Sequence, residues 1–386
     1  MKIPSARALM DGAELETGFS DWLTEHLGSP AEALEILVHD LNAKAQLHEL
    51  GAQRVYRRLH ETLCARLRYI ADRKLYPEVS GETIDAPIFI LGLPRSGTTF
   101  LHNLLAADPD NRAPRSFEMQ FPAPKTDEPF ARDLRIQRCH ESFCFAGLMD
   151  DDWQAVHPMG AARADECGFI WELSLLSMNY AAIAELPNYE AYFYASDFRK
   201  IYREQRAFLQ YLQHRGTPSR WILKTPIHIR FLEEIVDVFP DARFVHCHRD
   251  TAKIYPSLGH LVSVLRAKFA GLRPGNDSVV RDYDGTWQHA LDFRQRTGMA
   301  DRFVDLNFVD LQADPVGAVE TIYRRLNIDL TPERRLVLDA WLKGDRADHA
   351  RRPRHDYSLE DAGVSEQELD DKTGDYLRAF KVPLER

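Results

Sequence analysis

Ile88-Phe-Ile-Leu-Gly-Leu-Pro-Arg-Ser-Gly-Thr-Thr-Phe-Leu-His102 is the stretch whose reading decides the fold. Its first four residues, Ile88 to Leu91, are wholly apolar and lie between Pro87 and Gly92. A strand buried on both faces of a parallel sheet requires such a run. Thr98 to Ala107 reads as a helix with Phe100, Leu101, Leu104 and Leu105 facing inward. Between them lies the loop Gly92 to Gly97. A strand–loop–helix turn points backbone N–H groups at an anion placed at the helix N-terminus. Glycine at both ends lets the backbone approach that ligand closely. The residues therefore predict a loop that cradles a nucleotide phosphate. A tight turn without a ligand would have no use for the cation of Arg95 or for the hydroxyls of Ser96, Thr98 and Thr99 gathered there.

Working outward, Arg220 to Leu223 is a second strand-like run, ending at Lys224-Thr-Pro226. Helical spacing follows through Ile229, Leu232, Ile235 and Val236, until Pro240 and Asp241 break it. Arg243 to His248 and Phe303 to Phe308 give a third and a fourth strand, the last before a helix starting near Asp314-Pro315. Strands separated by helices imply an α/β fold with a central parallel sheet. Residues 1 to 76 read as helical. Leu34, Leu37, Val38, Leu41 and Ala45 form one apolar stripe. Val55, Leu59, Leu63, Leu67 and Ile70 form another, with arginines on the opposite face. The expected organisation is a helical N-terminal region over 1–76, packed on an α/β domain over 85–386 that carries a helical insertion at about 120–215.

The chain has 386 residues, 44% hydrophobic and 28% charged, which is an ordinary globular composition. Its formal charge of −10 argues against nucleic acid as a partner, although a local basic pocket can still hold a small anion. The five cysteines show no CxxC spacing, as expected in a reducing compartment. The N-terminal residues lack the apolar core of a signal peptide. The most apolar stretch, Phe169 to Ala184, contains Glu172 and Asn179 and predicts a buried helix instead of a transmembrane segment. A cytoplasmic protein is expected.

The triphosphate-binding version of such a loop is GxxxxGK[ST], whose lysine reaches the β- and γ-phosphates. Here Thr98 takes the lysine's place, and Arg95 is the loop's only side-chain cation. That departure argues against a P-loop kinase or nucleotide hydrolase, which stands as the alternative reading. Phe89 to His102 resembles the 5′-phosphosulfate loop of sulfotransferases, which use 3′-phosphoadenosine 5′-phosphosulfate (PAPS). The Pro-Arg-Ser-Gly-Thr-Thr form is typical of a mainly bacterial group of them. Trp221 to His228 resembles the family's Lys-Ser/Thr-Pro element. Phe239 to Asp250, continuing to Ser257, resembles its 3′-phosphate-binding strand and helix, and Arg354 to Asp361 resembles a C-terminal element of this group.

The resemblance implies a P-loop NTPase-like three-layer α/β fold and a metal-free sulfotransferase with PAPS as donor. The acceptor would be a hydroxyl, with an amine less favoured, on a small molecule, lipid or saccharide. The implied cradle is the backbone from Ser96 through Gly97 to Thr99, with the hydroxyls of Thr98 and Thr99. Arg95 replaces a lysine that some sulfotransferases carry there, and it can hydrogen-bond the transferring group without giving up its proton. Lys224, at a strand end where open α/β sheets bind ligands, becomes a second cation over the sulfonate. Arg249 and Ser257 would grip the 3′-phosphate. The base is assigned to Glu118, within Pro114-Arg-Ser-Phe-Glu-Met119, ahead of His228 and Glu166. His246 and His248 share a strand face, but no third metal ligand stands at a typical spacing, so they are read as buried strand histidines. His355 and Tyr357 would cover the nucleotide. Trp153, His157, Phe169 and Trp171 lie where an acceptor pocket is expected, with plain packing equally favoured. A non-enzymatic nucleotide-binding module is disfavoured because Arg95, Lys224, Arg249 and Ser257 are all present.

Overall fold

The computed structural model describes residues 1–125, 130–214, 216, 219–271, 285–349, 359 and 365–385. The chain divides into two compact units. One comprises Met1–Ile84, Pro114–Pro218 and Val262–Arg273, the other Asp85–Ala113, Ser219–Leu261 and Pro274–Arg386.

The first unit is helical. It begins with α1 (Ala6–Thr17), α2 (Ala31–Ala43) and α3 (Glu49–Leu75). Both apolar stripes are buried, and α3 presents Val55, Leu59, Leu63, Leu67 and Ile70 to the interior. The arginines of α3 are not confined to a solvent face. Arg66 is 2% exposed, and its guanidinium donates to the carbonyls of Trp22, Gly28 and Leu173 at 2.7, 3.0 and 2.8 Å. Main-chain acceptors thus satisfy a buried cation that periodicity alone would leave in water.

Phe169 to Ala184 is not one helix. It forms two short ones, Gly168–Glu172 and Met178–Ile183. Leu175 takes φ = 56° between them. The buried Tyr189 hydroxyl holds the break open: it accepts from the Ser177 amide at 2.8 Å and donates to the Leu175 carbonyl at 2.9 Å. Glu172 is tied to Arg58 at 3.0 Å and to Asn179 at 2.7 Å. Among the described residues no helix is long and apolar enough to cross a membrane.

The second unit is built on a five-stranded sheet of order β2-β3-β1-β4-β5, parallel throughout. The strands are β1 (Ile88–Gly92), β2 (Asn111–Arg112), β3 (Arg220–Lys224), β4 (Arg243–His248) and β5 (Phe303–Asn307). β1 is central and fully buried, pairing Ile90 with Lys224 on one side and Val245 on the other. α4 (Thr98–Ala106) follows it, burying Leu101, Leu104 and Leu105. Phe100 is half-buried beside Trp341, with ring centroids 5.9 Å apart, and does not enter the core. The single helix expected after Pro226 divides into a 3-10 turn, Pro226–Arg230, and an α-helix, Leu232–Val238, because Phe231 between them leaves helical geometry at φ = −124°.

A polar cluster joins β4, β5 and the helix Glu366–Ala379. The sequence offered no third partner for His246 and His248. The fold supplies one in Asp305, whose Oδ1 lies 2.9 Å from His248 Nε2, and it also supplies a cation. Arg294 donates to both oxygens of Asp305 at 2.9 Å and to His246 Nδ1 at 3.0 Å. His248 stacks on Phe380 and meets the Tyr376 hydroxyl at 3.3 Å. Burial, then His248 and Arg294, outweighs the opposite pull of Asp305 and holds His246 well below the ordinary histidine value; burial also lowers His248 against its hydrogen bond to Asp305. Burial alone would raise Asp305, but hydrogen bonds from His248 and Arg294 outweigh it and hold this carboxyl far below the usual range.

The two histidines are therefore neutral in the folded chain at neutral pH. Their folded values lie below the unfolded value of about 6.5, so in that interval the unfolded state binds more protons and acid weakens the fold. Asp305 acts in the same direction, but only in strong acid. Urea unfolding at pH 7.5 and 5.5 is expected to give a lower midpoint at pH 5.5, with a smaller drop in His246→Gln. Equal midpoints at the two pH values would contradict this account.

Candidate active site

The loop leaving β1 is shaped by close approaches. Gly92 has φ = 137°, and a Cβ there would come 2.6 Å from the carbonyl oxygen of Cys247 on β4. At Gly97, with φ = 88°, a Cβ would meet Phe308 Cδ2 at 2.8 Å. Arg95, between them, takes φ = 71° despite its side chain, at a cost of roughly 1 kcal/mol. Left-handed residues of this kind turn backbone amides into anion-binding concavities. Ser96 is fully buried, and both its Oγ and its backbone amide donate back to the Leu93 carbonyl, at 2.6 and 3.2 Å, so Ser96 closes the turn and the anion-facing amides are those that follow it. The first-turn amides of α4 (Thr98, Thr99 and Phe100) have no acceptor within the helix. Together with the helix dipole they favour negative charge at this spot.

Cations come from three strand ends. Lys224, at the end of β3, is 1% exposed, and its Nζ donates to Thr99 Oγ1 at 3.1 Å, over the first turn of α4. Arg95 extends from the loop to Ser257, with Nε 2.9 Å from Oγ. Arg249 follows β4; its Nη1 donates to the Arg95 carbonyl at 3.0 Å, and its guanidinium carbon lies 3.8 Å from the Phe308 ring centroid. Asp250 caps the next helix through the Ala252 amide at 3.0 Å. The loop, Thr99, Lys224, Arg249 and Ser257 thus converge at the C-terminal edge of β1, β3 and β4. Strand order reverses there, and open parallel sheets leave a ligand crevice at such a point.

His228 lies in the turn after β3, fully buried and edge-on to Phe89 with ring centroids 5.0 Å apart. Burial, then the charge of Lys224, holds its imidazole well below the ordinary value. It is a neutral ring that takes up a proton reluctantly.

Glu118 belongs to the first unit, the residues above to the second. It sits in the short helix Ser116–Gln120, buried, with Oε2 accepting the Arg115 amide at 3.0 Å. The segment is pinned by Ser116 Oγ donating to Asp165 at 3.0 Å and by the Asp165 amide bonding to the Pro114 carbonyl at 3.1 Å. Glu166 is half-buried, just ahead of the helix Gly168–Glu172. Trp153 and Trp171 are buried, with indole N–H groups bonded to Met159 and Gln205, whereas His157 and Phe169 are half-buried. His355 and Tyr357 lie outside the described residues.

Sequence reasoning missed Phe308 and Glu385. Phe308 was counted as strand; it instead opens the helix Phe308–Ala313 and lies under Arg249. Glu385 carries no motif, yet its carboxylate bonds Arg249 Nε and Nη2 at 3.0 and 3.1 Å.

Comparison with known proteins shows the family. Residues 87–332 match the Sulfotransferase family. The omega-hydroxy-beta-dihydromenaquinone-9 sulfotransferase Stf3 of Mycobacterium bovis is 30% identical over 263 residues, or 63% of this chain, and the chain spans 63% of that relative's length. The crystal structure of sulfotransferase STF1 from Mycobacterium tuberculosis matches with a TM-score of 0.80 at 28% identity, covering 96% of this chain and 98% of that one. Sulfotransferase STF9 from Mycobacterium avium matches with a TM-score of 0.85 at 25% identity, over 99% and 98%. The family match takes in the loop, Lys224, Arg249 and Ser257, and by it the chain belongs to the sulfotransferase family.

Proposed function

We propose that this protein transfers a sulfuryl group from PAPS to the hydroxyl of a small-molecule, lipid or saccharide acceptor, with an amine less favoured. The observation that carries this reading is the convergence of Arg95, Lys224 and Arg249 on a phosphate-type loop that lacks the triphosphate lysine. The name of the Mycobacterium bovis relative specifies a hydroxylated dihydromenaquinone, which supports a lipid-like hydroxyl as acceptor. Five free cysteines accord with a cytoplasmic location.

The residues present fit such a donor. A loop with no room for a Cβ at Gly92 or Gly97, followed by free helix amides, suits a 5′-phosphosulfate, and Arg249 with Ser257 suits a 3′-phosphate. PAPS, when bound, supplies an activated sulfuryl group on a phosphate leaving group. The amides and hydroxyls of Thr98 and Thr99 hold the 5′ end. Lys224 and Arg95 stabilise charge on the sulfonate and the leaving oxygen, as preorganised cations do in phosphoryl transfer. Glu118 accepts the acceptor's hydroxyl proton on its carboxylate, held in place by its bond to the Arg115 amide. His228, sealed and neutral, is the second candidate for that proton.

Steady-state transfer of ³⁵S from labelled PAPS to a hydroxylated polyprenyl quinol tests these roles. Glu118→Ala and Glu118→Gln should both lower kcat by roughly 10²–10⁴. Glutamine retains an acceptor for the Arg115 amide, so only the alanine variant should also lower the unfolding midpoint. Near-normal turnover in both would transfer the base role to His228. Arg249→Ala should raise KM for PAPS roughly ten-fold or more, with a smaller change in kcat. An unchanged KM would remove Arg249 from the clamp.

A further inference from the structure

We infer that Glu385 is a positioning residue of the nucleotide clamp. Its carboxylate fixes the Arg249 guanidinium by one edge, so that the remaining N–H groups are presented to the donor's 3′-phosphate. This inference rests on the role given above to Arg249.

A guanidinium has five N–H donors in a planar fork. In Arg249 the side-on pair, Nε and Nη2, meets the two oxygens of Glu385 at 3.0 and 3.1 Å, in the parallel two-bond geometry of strong arginine–carboxylate pairs. Nη1 gives one N–H to the Arg95 carbonyl at 3.0 Å, and the plane rests on Phe308. One N–H remains on each of Nη1 and Nη2. Arg249 is thus held by an acid on one edge, a loop carbonyl at one tip and an aromatic face beneath.

Glu385 is itself anchored without help from Arg249. Its amide donates to Asp250 Oδ2 at 2.8 Å, and Asp250 is fully buried with its other oxygen committed to the Ala252 amide. Three residues earlier, Val382 is buried with Tyr376 and Leu377 in a small apolar cluster. The carboxylate is therefore delivered by a fastened main chain and is not a loose tail that meets Arg249 by chance. A long, mobile side chain loses rotamer freedom when it grips an anion. Fixing Arg249 beforehand removes that loss from the binding step.

Simple electrostatics predicts the opposite consequence. A carboxylate beside the clamp repels a phosphate, so removing its charge would by itself tighten anion binding. The sign of the effect therefore separates positioning from competition.

The test is calorimetric titration of the full chain and its Glu385→Gln and Glu385→Ala variants with 3′-phosphoadenosine 5′-phosphate and with ADP, which lacks the 3′-phosphate. The expected result is about ten-fold weaker binding of the 3′-phosphorylated nucleotide in both variants, with ADP affinity changed by less than about two-fold. KM for PAPS should rise in step while kcat stays within about two-fold. Adding Glu385→Ala to Arg249→Ala should bring no further loss, because the two act as one unit. Unchanged or tighter binding of the 3′-phosphorylated nucleotide in Glu385→Gln overturns the inference. So does an equal loss for both nucleotides, which marks a general structural effect. Failure of the underlying reading would look different: the wild-type chain would show no preference between the two nucleotides.

Discussion

The steric contact beneath the loop at the end of β1 constrains everything built above it. β1 is flanked on both sides by parallel strands, so its chain can leave only at the C-terminal edge, under the carbonyl of Cys247. A side chain at Gly92 would strike that carbonyl, and one at Gly97 would strike Phe308. With both positions bare, the backbone turns sharply, α4 begins close to the sheet and its first amides face outward. The left-handed backbone at Arg95 then sends this guanidinium towards Ser257 while its carbonyl receives Arg249. One backbone reversal thus fixes the anion cradle and two of the three cations beside it.

The electrostatics are local. The chain as a whole carries −10, yet Arg95, Lys224 and Arg249 bring positive charge to one edge of one sheet. Lys224 is nearly inaccessible to water, and its Nζ donates to the Thr99 hydroxyl over the first turn of α4. Burial, reinforced by the charge of Lys224, keeps the neighbouring His228 neutral. Elsewhere in this unit the cluster of His246, His248, Asp305 and Arg294 solves a different problem: it seats two buried histidines against an exposed carboxylate that pairs with the buried Arg294.

Much of this was legible in the sequence, for physical reasons that vary with the element. β1, β3 and β4 stand out because strands covered on both faces are mainly apolar runs, whereas β5, at the sheet's edge with Asp305 exposed, shows only through its buried Phe303, Val304 and Leu306. β2 has two polar residues and exists only through its register with Arg220 and Trp221, so no local pattern announces it. Phe169 to Ala184 is apolar enough for a single helix, and what breaks it is the hydroxyl of Tyr189, which no window over that stretch contains. The site divides in the same way. Arg95 to Thr99, Lys224 and Arg249 with Ser257 lie in short motifs that single them out as candidates, and the fold brings them to one edge of the sheet. Their tertiary partners, Phe308 and Glu385, are brought in from 59 and 136 residues beyond Arg249 and leave no trace in spacing. Asp305 was hidden likewise, since its meeting with His248 depends on the pairing of β4 with β5.

The central claim is that this edge of the sheet recognises a 3′-phosphorylated adenine nucleotide and not a nucleoside triphosphate. Calorimetric titration of the wild-type chain with 3′-phosphoadenosine 5′-phosphate, ADP and ATP, each with and without magnesium, tests it most directly. Tight binding of the 3′-phosphorylated nucleotide, indifferent to magnesium and well above that of ADP and ATP, is the predicted result. Magnesium-dependent ATP binding without preference for a 3′-phosphate would contradict the account and favour a phosphoryl-transfer site in its place.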